Sequence, residues 1–518
     1  MSALEHVTAE QLRELAVDQG ACIRPLLQRL TDTETGTSQT VPIPCGSTRE
    51  AVCPPCARKA RALRMQQCRE GWHLTDDPLP PEREEDEEDQ GEGEGEGTGS
   101  DAGEDEQKPP ARRVRSTRRR QDAPDLPKLP VEHRSLGRTF TGPDGTVYRP
   151  SMFLTLTLPS YGHVKADGTP VDPNTYDYRS AALDALHFPK LVDRFWQNLR
   201  RAAGYQVQYF AAVEPQRRLS PHLHAAVRGT MPREVLRQVV AATYAQLWWP
   251  RFDEPVYVDT LPVWMDGAGY VDPDTGQVLP TWNEALDTLD EQDAGPAHVL
   301  RFGTQLDMAG LLAGSEDANK AVGYLCKYLT KSVSDTYDGE TPKPARRRHL
   351  ERLQAETRWL PCTPECPNWL RFGVQPKTAE KEMTAGCCTS PAHSPDTLGL
   401  GGRRVLVSRY WTGKTLTDHR ADRATIVKTV LEEAGYDAPD VDRCSATALG
   451  SDGLPRFVWS PVLPEDSDML SYRALLIESI AERRRWRTQY EQAKRETEPD
   501  TRSATGTGEG RWQRERTA

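Results

Sequence analysis

The sequence predicts an α+β fold built on an antiparallel sheet with helices on one face. Two observations predict this class. From about residue 131 onward, apolar residues alternate with period 2 in some segments, as in strands, and recur every three to four residues in others, as in helices. In chain order these segments read β-α-β-β-α-β-α, an order that suits an antiparallel sheet.

Each element follows from its own pattern. The first strand contains the alternating run FLTLTL and stops at Pro159. The first helix carries Leu191, Phe195 and Leu199 on one face, and the second helix has a proline in its first turn, where the missing amide hydrogen costs nothing. The predicted elements are strand 147–158, helix 188–203, strand 205–214, strand 221–229, helix 231–249, strand 298–307 and helix 316–333.

The chain of 518 residues is long enough for more than one domain, and its composition divides it into five segments. In chain order these are a cysteine-bearing module (1–80), a charged linker (81–130), the sheet domain (131–340), an extension with a second cysteine group (341–440) and a tail (441–518). The tail is expected to form a helix at 470–495 and to be disordered at its end.

The net charge of −11 argues against a nucleic-acid partner until its distribution is considered. Residues 81–107 hold 14 of the 77 acidic side chains and one of the 66 basic ones, which leaves 65 basic against 63 acidic residues elsewhere. The balance therefore does not exclude DNA. The acidic Gly-Glu repeat and the arginine block at 112–120 predict a disordered linker, because like charges repel and bury no apolar area. The arginines either contact DNA phosphate or offset the acidic run.

The sequence offers no stretch near the roughly 18 apolar residues that a membrane span needs. Its N-terminal residues are amphipathic and acidic and lack the apolar core of a signal peptide, so a cytoplasmic location without a membrane partner is expected. In such a compartment, 11 cysteines indicate metal sites before disulfides.

His222 and His224 share one face of a predicted strand, since side chains two residues apart point the same way. Two imidazoles on one strand form half of a divalent-metal site. Glu214 ends the preceding strand, and a short turn joins the two strands, so its carboxylate could supply a third ligand. Taken alone, the two histidines could equally be surface residues of an edge strand.

Tyr324 and Tyr328 are separated by four residues in the predicted helix 316–333 and would lie on one face, with Lys327 and Lys331 on a neighbouring face. A phenol is a poor nucleophile unless cations or a base assist it, and nearby lysines and a metal provide that assistance. The alternative is an amphipathic helix that packs two tyrosines against a core.

Together these motifs resemble a family. FLTLTLP, then PHLH, then GYLCKYLTK match, in that order, the HUH (His-hydrophobe-His) endonucleases of rolling-circle replication, and the paired tyrosines resemble those of initiators with two catalytic tyrosines. The phrases CPNWLRFGVQPK and GGRRVLVSRYWTGKTLTDHRADR are similar to the replication initiators of actinobacterial plasmids and integrative conjugative elements. The resemblance covers most of residues 20–430 apart from the charged linker.

The resemblance implies an RRM/ferredoxin-like HUH core and a metal-dependent endonuclease that nicks plasmid origin DNA and transfers the strand. His222 and His224 would hold Mg²⁺ or Mn²⁺, which polarises the scissile phosphate. Glu214, at the neighbouring strand end, is the expected third ligand. Tyr324 or Tyr328 would attack phosphorus to give a 5′-phosphotyrosine, and Lys327 would be the cation that stabilises the transition state. Unwinding and synthesis would then require a host helicase and polymerase.

The cysteines predict structural zinc. Cys45, Cys53 and Cys56 contain a C-x-x-C pair, and Cys22 upstream can complete a tetrahedral site, although Cys68 and His73 compete for the fourth position. In the extension, a second group forms either another zinc site or a set of scattered thiols. Its members are Cys362, Cys366, Cys387 and His393.

Two other functions remain compatible with the sequence. One is a relaxase or transposase of the same superfamily, which shares the chemistry. The other is a non-enzymatic, zinc-dependent DNA-binding regulator, in which the histidine and tyrosine motifs are incidental. Only an enzyme of this type forms a covalent phosphotyrosine adduct with DNA.

Overall fold

The structure is a computed structural model that describes residues 7–78, 123–137, 139–143, 145, 147–292, 294–327, 329–331, 343–435, 449–462 and 470–497. Most of the predicted linker 81–130, and Tyr328, lie outside the described residues. The chain divides into two compact units. The terminal unit comprises Met1–Leu63 and Thr415–Ala518, and the sheet unit comprises Arg64–Lys414.

The strands in the described part of the chain are β1 (Leu26–Asp32), β2 (Ser38–Ile43), β3 (Phe140–Thr141), β4 (Val147–Tyr148), β5 (Pro150–Thr157), β6 (Tyr209–Pro215), β7 (Pro221–Arg228), β8 (Tyr244–Leu247), β9 (Val263–Met265), β10 (Gly269–Val271), β11 (His298–Arg301), β12 (Leu306–Leu312), β13 (Val405–Val407) and β14 (Phe457–Pro461). The α-helices are α1 (Ala9–Gln19), α2 (Pro54–His73), α3 (Tyr178–Ala203), α4 (Arg233–Ala242), α5 (Trp282–Glu291), α6 (Glu316–Leu325), α7 (Pro344–Trp359), α8 (Leu416–Glu433) and α9 (Tyr472–Thr497).

The sheet unit is built on a five-stranded sheet in the order β12-β5-β7-β6-β13, in which every neighbouring pair is antiparallel. The predicted α+β class with an antiparallel sheet is confirmed. Strand β7 lies at the centre, between β5 and β6. Its register places His224 opposite Thr155 on one side and Ala212 on the other. Strand β13 comes from the predicted extension, which therefore contributes to the same sheet.

Both faces of this sheet are covered, which corrects the prediction of helices on one face. Leu154 and Leu223 pack with α3 in the main core. On the opposite face, Ala212 and Ala226 pack with α6 and with the C-terminal part of α2. The central strands carry apolar residues at both odd and even positions, so both faces need partners to exclude water.

Helix α3 begins ten residues before the predicted start at 188. Asp177 caps it by accepting a hydrogen bond from the Ser180 amide, and Gly204 ends it in the left-handed conformation, with φ of 70°. Pro189 lies inside the helix. A proline usually marks a helix boundary, and for that reason the first turns are hard to recognise from the sequence.

Two predicted elements change in the structure. Helix 231–249 ends at Ala242, because the next residues form β8 and pair with β11. Strand 298–307 is divided into β11 and β12, which belong to different sheets. Gly303 lies at the division, where its amide donates to the Thr157 carbonyl at 2.7 Å and a Cβ would lie 2.8 Å from the Leu158 carbonyl oxygen.

The terminal unit joins the two ends of the chain. Strand β1 pairs with β2 on one side and with β14 on the other. Helix α1 packs against α9 through a small core that contains Leu12, Ala16, Leu476 and Ile480. Residues 1–63 of the predicted module 1–80 and the predicted tail 441–518 therefore belong to one unit, because C-terminal elements cover the edge of β1 and the apolar face of α1. Residues 64–80 belong instead to the sheet unit or lie outside the described residues. Among the described residues, no helix has both the length and the apolar character needed to cross a membrane.

Candidate active site

The β6–β7 hairpin brings the three predicted metal ligands together. Glu214 on β6 lies directly opposite His222 on β7, and His224 follows two residues later on the same face. One ligand atom from each of the three residues lies within 4.8 Å of the other two. Glu214 is 3% exposed and His224 is 4% exposed, so the polar cluster is buried against the sheet.

The two imidazoles point at each other. The Nε2 atoms of His222 and His224 are 2.6 Å apart, and the ring planes meet at 83°. The hydroxyl of Thr155 on the neighbouring strand lies 2.9 Å from His224 Nδ1 and holds that ring in place. Such a second contact on the far nitrogen is the usual way in which a protein orients a metal-binding histidine.

Burial controls the protonation of this cluster. It lowers the pKa of His222 to about 3, assisted by the neighbouring His224, and lowers the pKa of His224 to about 4. Both rings are therefore neutral at pH 7, the form that binds a metal. Burial also raises the pKa of Glu214 to about 7, although the charges of Arg404 and Lys327 oppose this shift.

Two buried atoms of the cluster have no hydrogen-bond partner among the described residues: Oε1 of Glu214 and Nδ1 of His222. A buried polar atom without a partner costs about 1–3 kcal/mol. A divalent cation bound at the convergent Nε2 atoms would provide a partner for Glu214 Oε1, although not for His222 Nδ1 on the far side of its ring. The donor set of two nitrogens and one carboxylate suits Mn²⁺ better than the harder Mg²⁺.

Tyr324 reaches this cluster from helix α6. Val322 and Leu325 anchor the helix in the core on the histidine face of the sheet. The Tyr324 hydroxyl lies 3.3 Å from His224 Nε2, and its ring contacts the His224 ring edge to face, with centroids 4.9 Å apart. The side chain is nevertheless 45% exposed, so the phenol contacts the candidate metal ligands while remaining accessible to a large substrate.

The predicted helix 316–333 is shorter than expected. Helix α6 ends at Leu325, and Cys326 caps it. Lys327 lies in the following turn, where its amide donates to the Tyr324 carbonyl at 3.1 Å and its side chain is exposed. Tyr328 lies outside the described residues, so its predicted position relative to Tyr324 stays a prediction.

Arg404 is a site residue that the sequence analysis missed. It directly precedes β13, and its Nε donates to the Val213 carbonyl at 3.1 Å while an Nη donates to the carbonyl of Lys331, beyond the tyrosine helix. Its charge keeps the pKa of Glu214 from rising further. No sequence pattern connects a residue of the extension with Glu214, because only the pairing of β13 with β6 brings them together.

Cys22, Cys45, Cys53 and Cys56 converge in the terminal unit. The Sγ atoms of Cys22 and Cys53 are 3.7 Å apart, and those of Cys45 and Cys56 are 3.8 Å apart. Tetrahedral zinc with bonds of about 2.3 Å separates its sulfur ligands by about 3.8 Å. Hydrogen bonding with Cys56 lowers the pKa of Cys22 to about 5, which favours the thiolate that zinc requires.

Neither residue that competed with Cys22 for the fourth position is in this cluster. The Cys68 side chain is buried in the core that also contains Cys326, and Nδ1 of His73 accepts a hydrogen bond from the Gly314 amide at 2.7 Å. In the extension, the structure brings together Cys362, Cys366, Cys388 and His393. The predicted ligand Cys387 is exposed and is not part of this group, so the assignment moves by one residue to Cys388.

The chain was compared with known proteins. The model of the family described as "RepSA: Replication initiator protein, pSAM2" matches residues 8–482. The chain belongs to the RepSA family of replication initiators. A replication initiator protein of Streptomyces ambofaciens is 29% identical over 224 residues, which cover 36% of this chain and 43% of that relative. No solved structure matches the chain.

The raised pKa of Glu214 predicts a pH-dependent metal affinity in this RepSA-family chain. Below pH 7 the carboxyl group is protonated, and a divalent ion must displace that proton. We expect Mn²⁺ affinity to rise by about tenfold per pH unit up to pH 7, because one proton is released, and to level off above it. Isothermal titration calorimetry between pH 6 and pH 8 measures this slope.

Glu214→Gln is the matched control, since it keeps the shape and removes the titrating group. Its affinity for Mn²⁺ should be lower and nearly constant over this range, because the histidines, with pKa values of about 3 and 4, remain neutral throughout. An equally steep slope in the variant would show that another group titrates.

Proposed function

We propose that this replication initiator nicks one strand of its origin DNA by attack of Tyr324 on a phosphodiester, as the first step of rolling-circle replication. The observation that carries the proposal is the position of the Tyr324 hydroxyl, 3.3 Å from His224 Nε2 and on a side chain that is 45% exposed. A nucleophile beside a buried ligand cluster, and open to solvent, is the arrangement that metal-assisted phosphoryl transfer requires.

The proposed reaction exchanges one phosphate ester for another. The Tyr324 oxygen forms a bond to phosphorus, and the bond from phosphorus to the 3′ oxygen breaks. The phenolic proton is lost to solvent, and the departing oxygen takes up a proton to become a free 3′-OH. The products are a 5′-phosphotyrosine on the protein and a primer end for a polymerase.

Each residue of the cluster has a separate task. His222, His224 and Glu214 would hold Mn²⁺ or Mg²⁺, which supplies Lewis-acid polarisation of the scissile phosphate. Thr155 orients His224 through their 2.9 Å contact. Lys327, exposed and close enough to influence the pKa of Glu214, is placed to stabilise the additional negative charge of the transition state.

The proposed roles of Tyr328, of the partners and of the terminal cysteine cluster rest on the family and on the sequence motifs. Tyr328 is proposed to make the second attack, which closes the displaced strand after replication. The partners would be plasmid origin DNA, presented as a single strand or hairpin, and a host helicase and polymerase. In the terminal unit, the Cys22, Cys45, Cys53 and Cys56 cluster would hold a structural zinc ion.

Tyr324→Phe should abolish formation of the covalent adduct on a single-stranded origin oligonucleotide in Mn²⁺ buffer, because the nucleophilic oxygen is lost. Tyr148→Phe is the matched control. Its ring stacks on Phe140, with centroids 5.1 Å apart, a contact that survives loss of the hydroxyl. Peptide mass spectrometry locates the adduct. A phosphopeptide from any tyrosine other than Tyr324 or Tyr328 would refute the proposal, and an adduct only on Tyr328 would reverse the assigned order of the two tyrosines. DNA binding without an adduct would favour a non-enzymatic regulator.

Thr155→Val should reduce nicking by about 10–100-fold, the usual cost of losing an outer contact to a metal-binding histidine. His222→Ala should reduce it further, because a ligand itself is removed. The rates are measured with saturating DNA over a range of Mn²⁺ concentrations. The Thr155→Val defect should shrink at high Mn²⁺, and a defect independent of Mn²⁺ would mean that Thr155 has another role.

Cys53→Ser should lower the zinc content of the full-length protein by about one equivalent, since a tetrahedral site loses one of its four thiolates. Cys387→Ser, which replaces an exposed cysteine outside both clusters, should leave the content unchanged. Elemental analysis after dialysis measures both variants. Equal zinc contents in the two variants would show that the cysteine cluster of the terminal unit does not bind zinc.

A further inference from the structure

Residues 360–404, which connect α7 to β13, have an ordered interior but little regular structure. Their only helical turns among the described residues are the 3₁₀ turns Pro367–Phe372 and Pro391–His393. Even so, Leu360, Trp369 and Leu398 are at most 1% exposed. A segment with so few helical and sheet hydrogen bonds needs another source of order, and a metal ion is a common one.

The four side chains at the centre of this segment have the geometry of a zinc site. The Sγ atoms of Cys362 and Cys388 are 4.0 Å apart, and Cys366 Sγ lies 3.5 Å from His393 Nε2. A tetrahedral zinc ion separates two thiolates by about 3.8 Å and a thiolate from an imidazole nitrogen by about 3.6 Å. A disulfide would instead bring two sulfurs to about 2 Å.

The orientation of His393 is fixed by the backbone. Its Nδ1 lies 2.7 Å from the carbonyl oxygen of Thr357, on helix α7. A carbonyl can only accept a hydrogen bond, so Nδ1 carries a proton and Nε2 is the ring nitrogen that faces Cys366 and is free to bind a metal once it is deprotonated. This arrangement, a metal-facing Nε2 with Nδ1 bound to a carbonyl, is typical of zinc ligands.

A buried asparagine joins the two loops that carry the ligands. Asn368 is fully buried, and its amide nitrogen donates to the carbonyls of Arg358 and Leu360. Its amide oxygen accepts from the Gly386 backbone at 2.7 Å, two residues before Cys388. These hydrogen bonds thus hold the loop that carries Cys362 and Cys366 at a fixed distance from the loop that carries Cys388 and His393.

We propose that Cys362, Cys366, Cys388 and His393 bind a structural zinc ion that fixes residues 360–404 and so positions Arg404 beside Glu214. The segment leads directly into β13, whose pairing with β6 places the Arg404 guanidinium against the Val213 carbonyl. Three thiolates and one imidazole select zinc over the Mg²⁺ or Mn²⁺ of the nicking centre. The effect on Arg404 rests on the proposed function, whereas zinc binding does not.

The neighbouring cysteines provide the decisive comparison. In full-length protein dialysed against a weak chelator, Cys388→Ser should contain about one zinc equivalent fewer than Cys387→Ser, because only Cys388 is a ligand. The difference is independent of whether the cluster in the terminal unit also holds zinc. Equal zinc contents in the two variants would overturn the proposal.

A second pair of variants covers the case in which Cys388→Ser does not fold. His393→Cys should keep the zinc, since four thiolates also form a tetrahedral site, whereas His393→Ala should lose it. With Co²⁺ in place of zinc, His393→Cys should shift the visible absorption bands of the protein relative to wild type, because a thiolate replaces an imidazole. An unchanged spectrum would exclude His393 as a ligand.

Nicking assays on the same proteins test the positioning of Arg404. Cys388→Ser should nick origin DNA at least about tenfold more slowly than Cys387→Ser, with the defect resembling that of Arg404→Ala. Loss of zinc with unchanged nicking would reject the link to Arg404. If the wild-type protein does not nick DNA, the proposed function fails, and the zinc comparison still decides whether this site exists.

Discussion

The register of the β6–β7 hairpin is the constraint on which the candidate site depends. A pairing that places Glu214 opposite His222 puts a carboxylate and two imidazoles on one face of the sheet. A slip of one residue would send both histidines to the core formed with α3 and would place Leu223 among polar groups. Burial of Leu223 on that other face therefore holds the register, and the apolar core determines where the polar ligands meet.

The same burial sets the chemistry of the cluster. Removal from water keeps the histidines neutral and raises the pKa of Glu214, while Lys327 and Arg404 limit that rise. Helix α6 covers this face only in part: Val322 and Leu325 are fully buried, whereas Tyr324, near the end of the helix, is exposed. The proposed nucleophile, Tyr324, thus lies at the boundary between the buried cluster and solvent.

Local patterns identified much of this arrangement from the sequence. Period-2 alternation located the central strands, and strand geometry placed His222 and His224 on one face. The sequence did not predict features that depend on distant pairing. It gave no sign that β13 and Arg404 join the sheet, that β14 completes the sheet of β1 and β2, or that helix α6 ends at Leu325. Of the adjacent Cys387 and Cys388, only the fold distinguishes the half-buried member of the cluster, Cys388, from the exposed thiol.

The pairing of β1 with β14 has a consequence for the order in which the protein becomes active during synthesis. The two strands are joined at Gln28 and Pro461, so the N-terminal strand leaves the ribosome long before its partner exists. Arg404 likewise emerges well after the histidines that it accompanies. Because contacts between distant residues form late, the newly made chain would not contain the complete candidate site until most of it had been translated.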